Sequence, residues 1–357
     1  MKNVFMLMKK YAKSTAILLL VEFAILFSSC QKPFSINATY EDFPIVYAIF
    51  NLSDSTQYIK VYKSFLTEGN VEDLTKDWHN YTYLDSIEVY VEEYDSKDTL
   101  LQIIKFDTTT EIPKDSGMFA YPEQLLYKAN LSIKRDCSYK LCVLNPYTKK
   151  MVVGTAPVVD TVQLMSPRRN QVKPVMLSLP FTQDFKVSFT KAANATYYRV
   201  TMSYYYTEIM SDGTDRAAQP IVWNLGGVDG AAMLNLYSTA SYKSQNLFKL
   251  IAGKVVEDDS VVKRHTDSIV IEIISQGDAL TKYILATTPT SSINQEQANY
   301  TNLTAYNTDT KEEKYVLGVF SMMSKSKFHF DDFATPGTRD TLLYGQYTKD
   351  LKFTDIH

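Results

Sequence analysis

Cysteine, histidine and tryptophan are scarce in this chain, at three, four and two among 357 residues. So few cysteines exclude a disulfide framework. Two of them, Cys137 and Cys142, sit in Asp136-Cys137-Ser138-Tyr139-Lys140-Leu141-Cys142-Val143, which reads as a strand. Residues five apart on a strand face opposite ways and lie about 16 Å apart. A disulfide needs Cα atoms within about 7 Å. Two free thiols used for packing are therefore expected. The histidines, His79, His265, His329 and His357, form no HExxH or HxH pattern, and there is no CxxC, so no zinc site is expected. GxSxG, Walker and GxGxxG motifs are also missing. Gly226-Gly227-Val228-Asp229-Gly230 lacks the lysine and following helix of a phosphate cradle and reads as a loop. No catalytic residue and no cofactor is expected. Net charge is −3, and no Lys/Arg block follows the first turns of the chain, which argues against a nucleic-acid partner. No apolar run reaches the roughly 20 residues a membrane-spanning helix needs.

Strand-forming residues are what the chain has instead, with 26 tyrosines against 12 glycines and 12 prolines. Pro44–Phe50 is a continuous apolar run, expected as a buried strand. Ile59 and Val61 share one face of the next strand, and Ile87, Val89 and Val91 one face of a third. Leu100–Phe106, Leu125–Leu131, Tyr139–Leu144 and Met151–Thr155 complete a first set, separated by turn signals such as Asn145-Pro146 and Asp115-Ser116-Gly117. Prolines and arginines punctuate 157–180. Phe185, Val187 and Phe189 then alternate with polar residues, and so do Val200, Met202, Tyr204 and Tyr206 within Tyr197–Met210. Ile269–Ile274 and Tyr315–Phe320 read as late core strands. Asp278 is a candidate N-cap for a short helix near 278–286, with Leu280, Tyr283 and Ile284 on one face. The expectation is a mainly all-β protein of two β-sandwich domains, immunoglobulin-like over 42–156 and fibronectin type III-like over 181–350, with a linker at 157–180.

Acidic pairs at Glu92-Glu93, Asp258-Asp259, Glu312-Glu313 and Asp331-Asp332 have no spacing that selects a catalytic or calcium-binding couple, and a solvated surface is the expectation. Tyr204-Tyr205-Tyr206, Trp78, Tyr81, Tyr83 and Trp223 offer either a sugar-stacking platform or core packing. Alternation puts Tyr204 and Tyr206 in the core.

The N-terminus carries an address. Lys2, Lys9, Lys10 and Lys13 precede Ala16–Val21 and Phe23–Phe27, which Glu22 interrupts. Small Ser28 and Ser29 follow, the layout of a secretory signal. Leu26-Phe27-Ser28-Ser29-Cys30 resembles a bacterial lipobox, with Phe27 where leucine is usual. The resemblance implies cleavage after residue 29, lipidation with diacylglycerol and palmitate-type chains at Cys30, and a tether over 30–41. An Asp-Ser/Thr-apolar (or Thr) tripeptide recurs with hydroxyls at Ser55, Ser86, Thr99, Thr108, Thr161, Ser268 and Thr341, where composition alone gives about two. It looks like the O-glycosylation acceptor pattern of exported Bacteroidota proteins; Asp-Ser/Thr turns entering apolar strands yield the same tripeptides.

Phe43–Asn51, Tyr58-Ile59-Lys60-Val61, Gly117–Ala120, Tyr139-Lys140-Leu141, Ala279–Tyr283, Tyr300–Leu303 and Gly318-Val319-Phe320 resemble Bacteroidota outer-membrane lipoproteins that carry a domain of unknown function. Some of that family are encoded near TonB-dependent transporters. The resemblance implies a non-enzymatic lipoprotein at the outer membrane, anchored to it by lipid, with a transporter, a secretion complex or a glycan as partner. The segment after Cys30 has no acidic stretch, which leaves cell-surface and periplasmic faces both open. The alternative is a fimbrial or adhesin subunit that assembles by strand exchange. A glycan-active enzyme is a third reading and requires a cleft with paired carboxylates.

Overall fold

The computed structural model describes residues 42–65, 71–84, 86–117, 119–167, 176–179, 181–232, 237–288, 300–334 and 337–354. The expectations for the signal segment 1–29, for Cys30 and for the tether 30–41 lie outside the described residues, as does His357.

The chain is mainly β. Its first half contributes β1 (Pro44–Asn51), β2 (Thr56–Lys63), β3 (Glu88–Tyr94), β4 (Leu100–Lys105), β5 (Asp107–Thr109), β6 (Leu126–Asn130), β7 (Ser138–Asn145) and β8 (Lys150–Ala156). A short helix α1 (Val71–Thr75) interrupts them. The second half adds β9 (Leu164–Ser166), β10 (Met176–Leu177), β11 (Asp184–Thr190), β12 (Ala195–Met210), β13 (Asp215–Ala217), β14 (Ile221–Asp229) and β15 (Tyr237–Lys243). Helix α2 (Gln245–Lys254), β16 (Val261–Gly277) and helix α3 (Asp278–Thr287) follow, then β17 (Thr304–Asn307), β18 (Glu313–Lys314), β19 (Leu317–Phe330), β20 (Asp332–Phe333) and helix α4 (Thr338–Tyr344).

Alternation decides the faces. Val46, Ala48 and Phe50 of β1 and Ile59 and Val61 of β2 are buried, and so are Val89, Val91, Leu141, Val143 and Val152. Phe185, Val187 and Phe189 are buried with Val200, Met202, Tyr204, Ile269, Ile271 and Ile273. All of these belong to one hydrophobic cluster. Phe50 joins the strand sets through Phe106, 5.9 Å away, and Phe320, 5.2 Å away.

Strand pairing crosses 157–180. One sheet runs β13-β12-β16-β19-β1-β2-β6-β5, with β14 also paired to β12, and so takes strands from both sides of 157–180. The described residues fall in one compact unit. The joint is β1 against β19, parallel, with Ile45 opposite Leu317 through Asn51 opposite Met323. Gly318 makes the joint fit. Its φ is +110°, and a Cβ there would come within 1.9 Å of the Val46 carbonyl oxygen. The other sheets run β18-β17-β8-β7-β3-β4, β15-β11-β9 and β10-β20.

Local expectations shift as well. The 157–180 linker holds β9, because Leu164 and Ser166 find partners on β11. Gly226 and Gly227 are not loop residues: they lie in β14, where Gly226 (φ +91°) sits at a register shift opposite Val200. Helix α3 is where the apolar spacing put it, but Gly277 is its N-cap and Asp278 instead ion-pairs with Lys282 at 2.7 Å. Leu280 is buried while Ile284 is exposed. The run 100–106 supplies the edge strand β4, with Leu101 and Ile103 50% and 53% exposed and Phe106 just beyond it in the core.

Candidate functional site: a lysine among aromatic rings

Charge and ring chemistry converge on the outer face of β1 and β2. Because Ile59 and Val61 point into the core, Tyr58, Lys60 and Tyr62 must point out. Tyr47 of β1 stands directly opposite Lys60. Helix α3 packs over the neighbouring β19, where the Leu280 N–H donates to Ser321 Oγ at 3.2 Å. That brings Tyr283 to Tyr47, with ring centroids 5.9 Å apart and hydroxyls 3.3 Å apart. On the other side the segment between β5 and β6 supplies Lys114, Phe119 and Gln124. Gln124 donates to the Ile112 carbonyl at 3.0 Å and accepts from the Lys60 ammonium. The ammonium lies 4.8 Å from the Tyr62 ring centre. Tyr62 in turn packs on Tyr81 at 5.4 Å and on Phe119 at 6.5 Å.

Lys60 is half-buried, and among the described residues its hydrogen-bond acceptor is the neutral Gln124. Burial, helped by the nearby Lys114 charge, pulls its amine down to about 8. Burial also pushes the Tyr62 phenol up to about 12, and that of Tyr47 upward. Lys114 donates to the carbonyls of Asp115 and Phe119, both at 3.3 Å. Glu111 on the same segment takes the Tyr58 hydroxyl at 2.7 Å and the Lys128 ammonium at 2.6 Å, and Glu123 takes the Trp78 indole N–H at 3.3 Å. Among the described residues neither Lys60 nor Lys114 has a carboxylate partner.

A second cluster is built the opposite way. Arg264 is 2% exposed; it donates to Glu208 at 2.9 Å and to the carbonyls of Leu351 and Val256. Arg216 donates to the other Glu208 oxygen at 2.7 Å and to Asp258 at 2.8 Å. Glu208, Arg216 and Asp258 border an open groove of about 740 Å³ with Tyr206, Lys254 and Glu257. Hydrogen bonds from Ser260 and Arg216 hold the Asp258 carboxyl well below the usual range. A carboxyl held ionised in this way is no general acid. Beside the groove, buried Arg264 clamps the C-terminal segment through the Leu351 carbonyl.

The acidic pairs are likewise committed. Glu93 is buried and takes Lys134 at 2.6 Å and Tyr139 at 3.2 Å, while Glu92 faces out to Lys140 at 3.0 Å. Asp332 pairs with Arg339 at 3.2 Å. Among the described residues, no three His, Cys, Asp or Glu gather to hold a metal, and no helix is long and apolar enough to cross a membrane. Cys137 and Cys142 are free thiols; burial raises Cys142 to about 11.

The aromatic platform named from sequence does not assemble. Tyr81, Tyr83, Tyr204 and Tyr206 are buried, Trp223 packs on Tyr242 at 6.1 Å, and Trp78 stacks on His79 at 4.0 Å. Of the tripeptide hydroxyls, Ser55, Thr99 and Thr108 are exposed, and Ser86, Thr161, Ser268 and Thr341 are half-buried. Thr161 is bonded to Asp160 and Arg135, and Thr341 to the Gly337 carbonyl inside α4. Sequence reasoning missed Lys60. Alternation marked it as outward, but nothing in the pattern announced the segment that covers it.

No protein-family model matches the sequence, and no curated protein matches it. Among solved structures, a match is found to the C-terminal globular domain of an oligosaccharyltransferase from Pyrococcus abyssi, with 10% identity and a TM-score of 0.18. The match covers 54% of this chain and 34% of that one.

Proposed function

We propose that this chain is a non-catalytic lipoprotein of the outer membrane, held there through Cys30, that binds a protein or glycan partner as an accessory to a TonB-dependent transporter or secretion complex. The segment 2–30 supports the anchor, through its basic start, broken apolar run and small residues before cysteine. The observation that carries the binding role is the Lys60 face, where cationic and aromatic groups lack the partners that charged groups elsewhere have. Binding sites are few, largely pre-formed, and pair apolar walls with a few placed polar groups. Strand order supports the finer fold reading. On this reading β1-β2-β6-β5 would pair with β4-β3-β7-β8 as an immunoglobulin-like sandwich and β9-β11-β15 with β14-β12-β16-β19 as a fibronectin type III-like one, the two sharing the β1–β19 seam.

The test has two readouts. Metabolic palmitate labelling is expected to mark the native protein and not Cys30→Ser; an unlabelled native protein sinks the anchor. A photo-crosslinking residue at Phe119, beside the face, is expected to capture one partner in stoichiometric yield from native outer membranes, and one at Val222 is not. Equal capture at both positions, or none, sinks the binding role.

The exposed apolar edge of β4 favours a second reading, a fimbrial or adhesin subunit joined by strand exchange. Protein that stays monomeric after proteolytic removal of its N-terminal segment rules that out.

A further inference from the structure

We infer that the β1–β2 outer face is a saccharide subsite, and that the sugar it takes carries a carboxylate. The inference rests on the binding role above and names the ligand class of that site. Charge gives the first half of the argument. An ammonium that loses water without gaining an anion is destabilised, so the face holds Lys60 at a cost that an anionic ligand removes. Lys114 adds a second cation, close enough to disfavour the charged form of Lys60. The groups facing Lys60 are Tyr47 from β1, Tyr62 from its own strand, Tyr283 from α3 by way of Tyr47, and Lys114 and Gln124 from the covering segment. None is acidic, and Glu111 is taken by Tyr58 and Lys128.

Shape gives the second half. The exposed Phe119 ring, backed by Tyr62 at 6.5 Å, presents an apolar face of the kind a pyranose stacks on. The paired hydroxyls of Tyr47 and Tyr283 supply donor and acceptor capacity for sugar hydroxyls. A phosphate or sulfate site collects arginine forks or backbone N–H groups. This face instead offers two separate ammonium groups and an amide, point-like donors that match the two oxygens of a carboxylate better than the three of a phosphate or sulfate ester.

The experiment is calorimetric titration of the purified full-length protein with four probes: tetragalacturonate, its methyl ester, a hyaluronan tetrasaccharide and maltotetraose. At least one uronate is expected to bind, with the ester and maltotetraose about ten-fold weaker or worse, the scale of one partly buried charge contact. Lys60→Gln and Lys114→Gln are each expected to weaken the uronate about ten-fold. Affinity is expected to fade as pH rises through and above about 8, because only the ammonium form of Lys60 attracts a carboxylate. Competitive amine labelling is expected to show Lys60 protected by bound uronate. If Lys60→Gln fails to fold, Lys114→Gln and the labelling carry the test. Failure of both uronates to bind, equal binding of the ester, or unchanged affinity in Lys114→Gln overturns the inference. A crosslinked stoichiometric partner alongside any of these results leaves the binding role standing and removes only the sugar.

Discussion

Two charged regions of this molecule were made by opposite rules. Around Arg264 every charge has its complement: one carboxylate serves two guanidiniums, and the leftover donors close on backbone carbonyls. Around Lys60 the acceptor is a neutral amide and the neighbouring charge has the same sign. A satisfied buried network holds a fold together. An unsatisfied one stores free energy that a ligand recovers. The difference separates scaffold from site without any catalytic motif.

Four substitutions sharpen or break that comparison. Arg264→Leu has the largest expected effect, about 3–5 kcal/mol lost in urea unfolding, because it strands a buried Glu208 oxygen and two carbonyls. A cost below about 1 kcal/mol means the network is not a clamp. Gly318→Ala comes next, with a loss of about 3 kcal/mol from its positive φ and the crowding against Val46. Because β1 carries Tyr47, the same variant is expected to dull the Lys60 face, seen as a return of the Lys60 amine toward its ordinary value by NMR. Lys60→Met goes the other way. The folded amine titrates at about 8 and the ordinary value is 10.5, so between these the unfolded chain binds more protons and native stability rises with pH. The variant is therefore expected to be more stable by about 1 kcal/mol at pH 7, after allowance for solvent screening, and to lose that advantage above about pH 10.5. A variant less stable at pH 7 makes Lys60 a structural residue. Arg216→Ala is the smallest effect, under about 1 kcal/mol by thermal unfolding, since its side chain is 48% exposed.

Much of the fold was legible. Phe185, Val187 and Phe189, and Val200 through Tyr206, announced their buried faces by period alone. Period assigns faces, however, and not neighbours. Nothing local in Pro44–Asn51 says that its partner is Leu317–Phe330, so the parallel joint that puts strands from both sides of 157–180 in one sheet was not legible. The apolar run 100–106 is a strand as its composition said, but hydrophobicity does not tell which side is covered: Leu101 and Ile103 stay exposed at the edge while Phe106 reaches the core. Lys60 is the mirror case. An outward lysine normally meets water, and only tertiary cover from 110–124 and α3 changes its chemistry.

The parallel seam has a kinetic side. Ser53 and Lys325, which bond across its end, are 272 residues apart in sequence. When β1 leaves a ribosome or a translocation pore, the strand it needs has yet to be made or delivered. Loop closure on that scale is slow, and an unpaired edge waits open meanwhile. Assembly of this molecule thus finishes near where it started, and the nascent chain depends on being kept from other strands until its tail arrives.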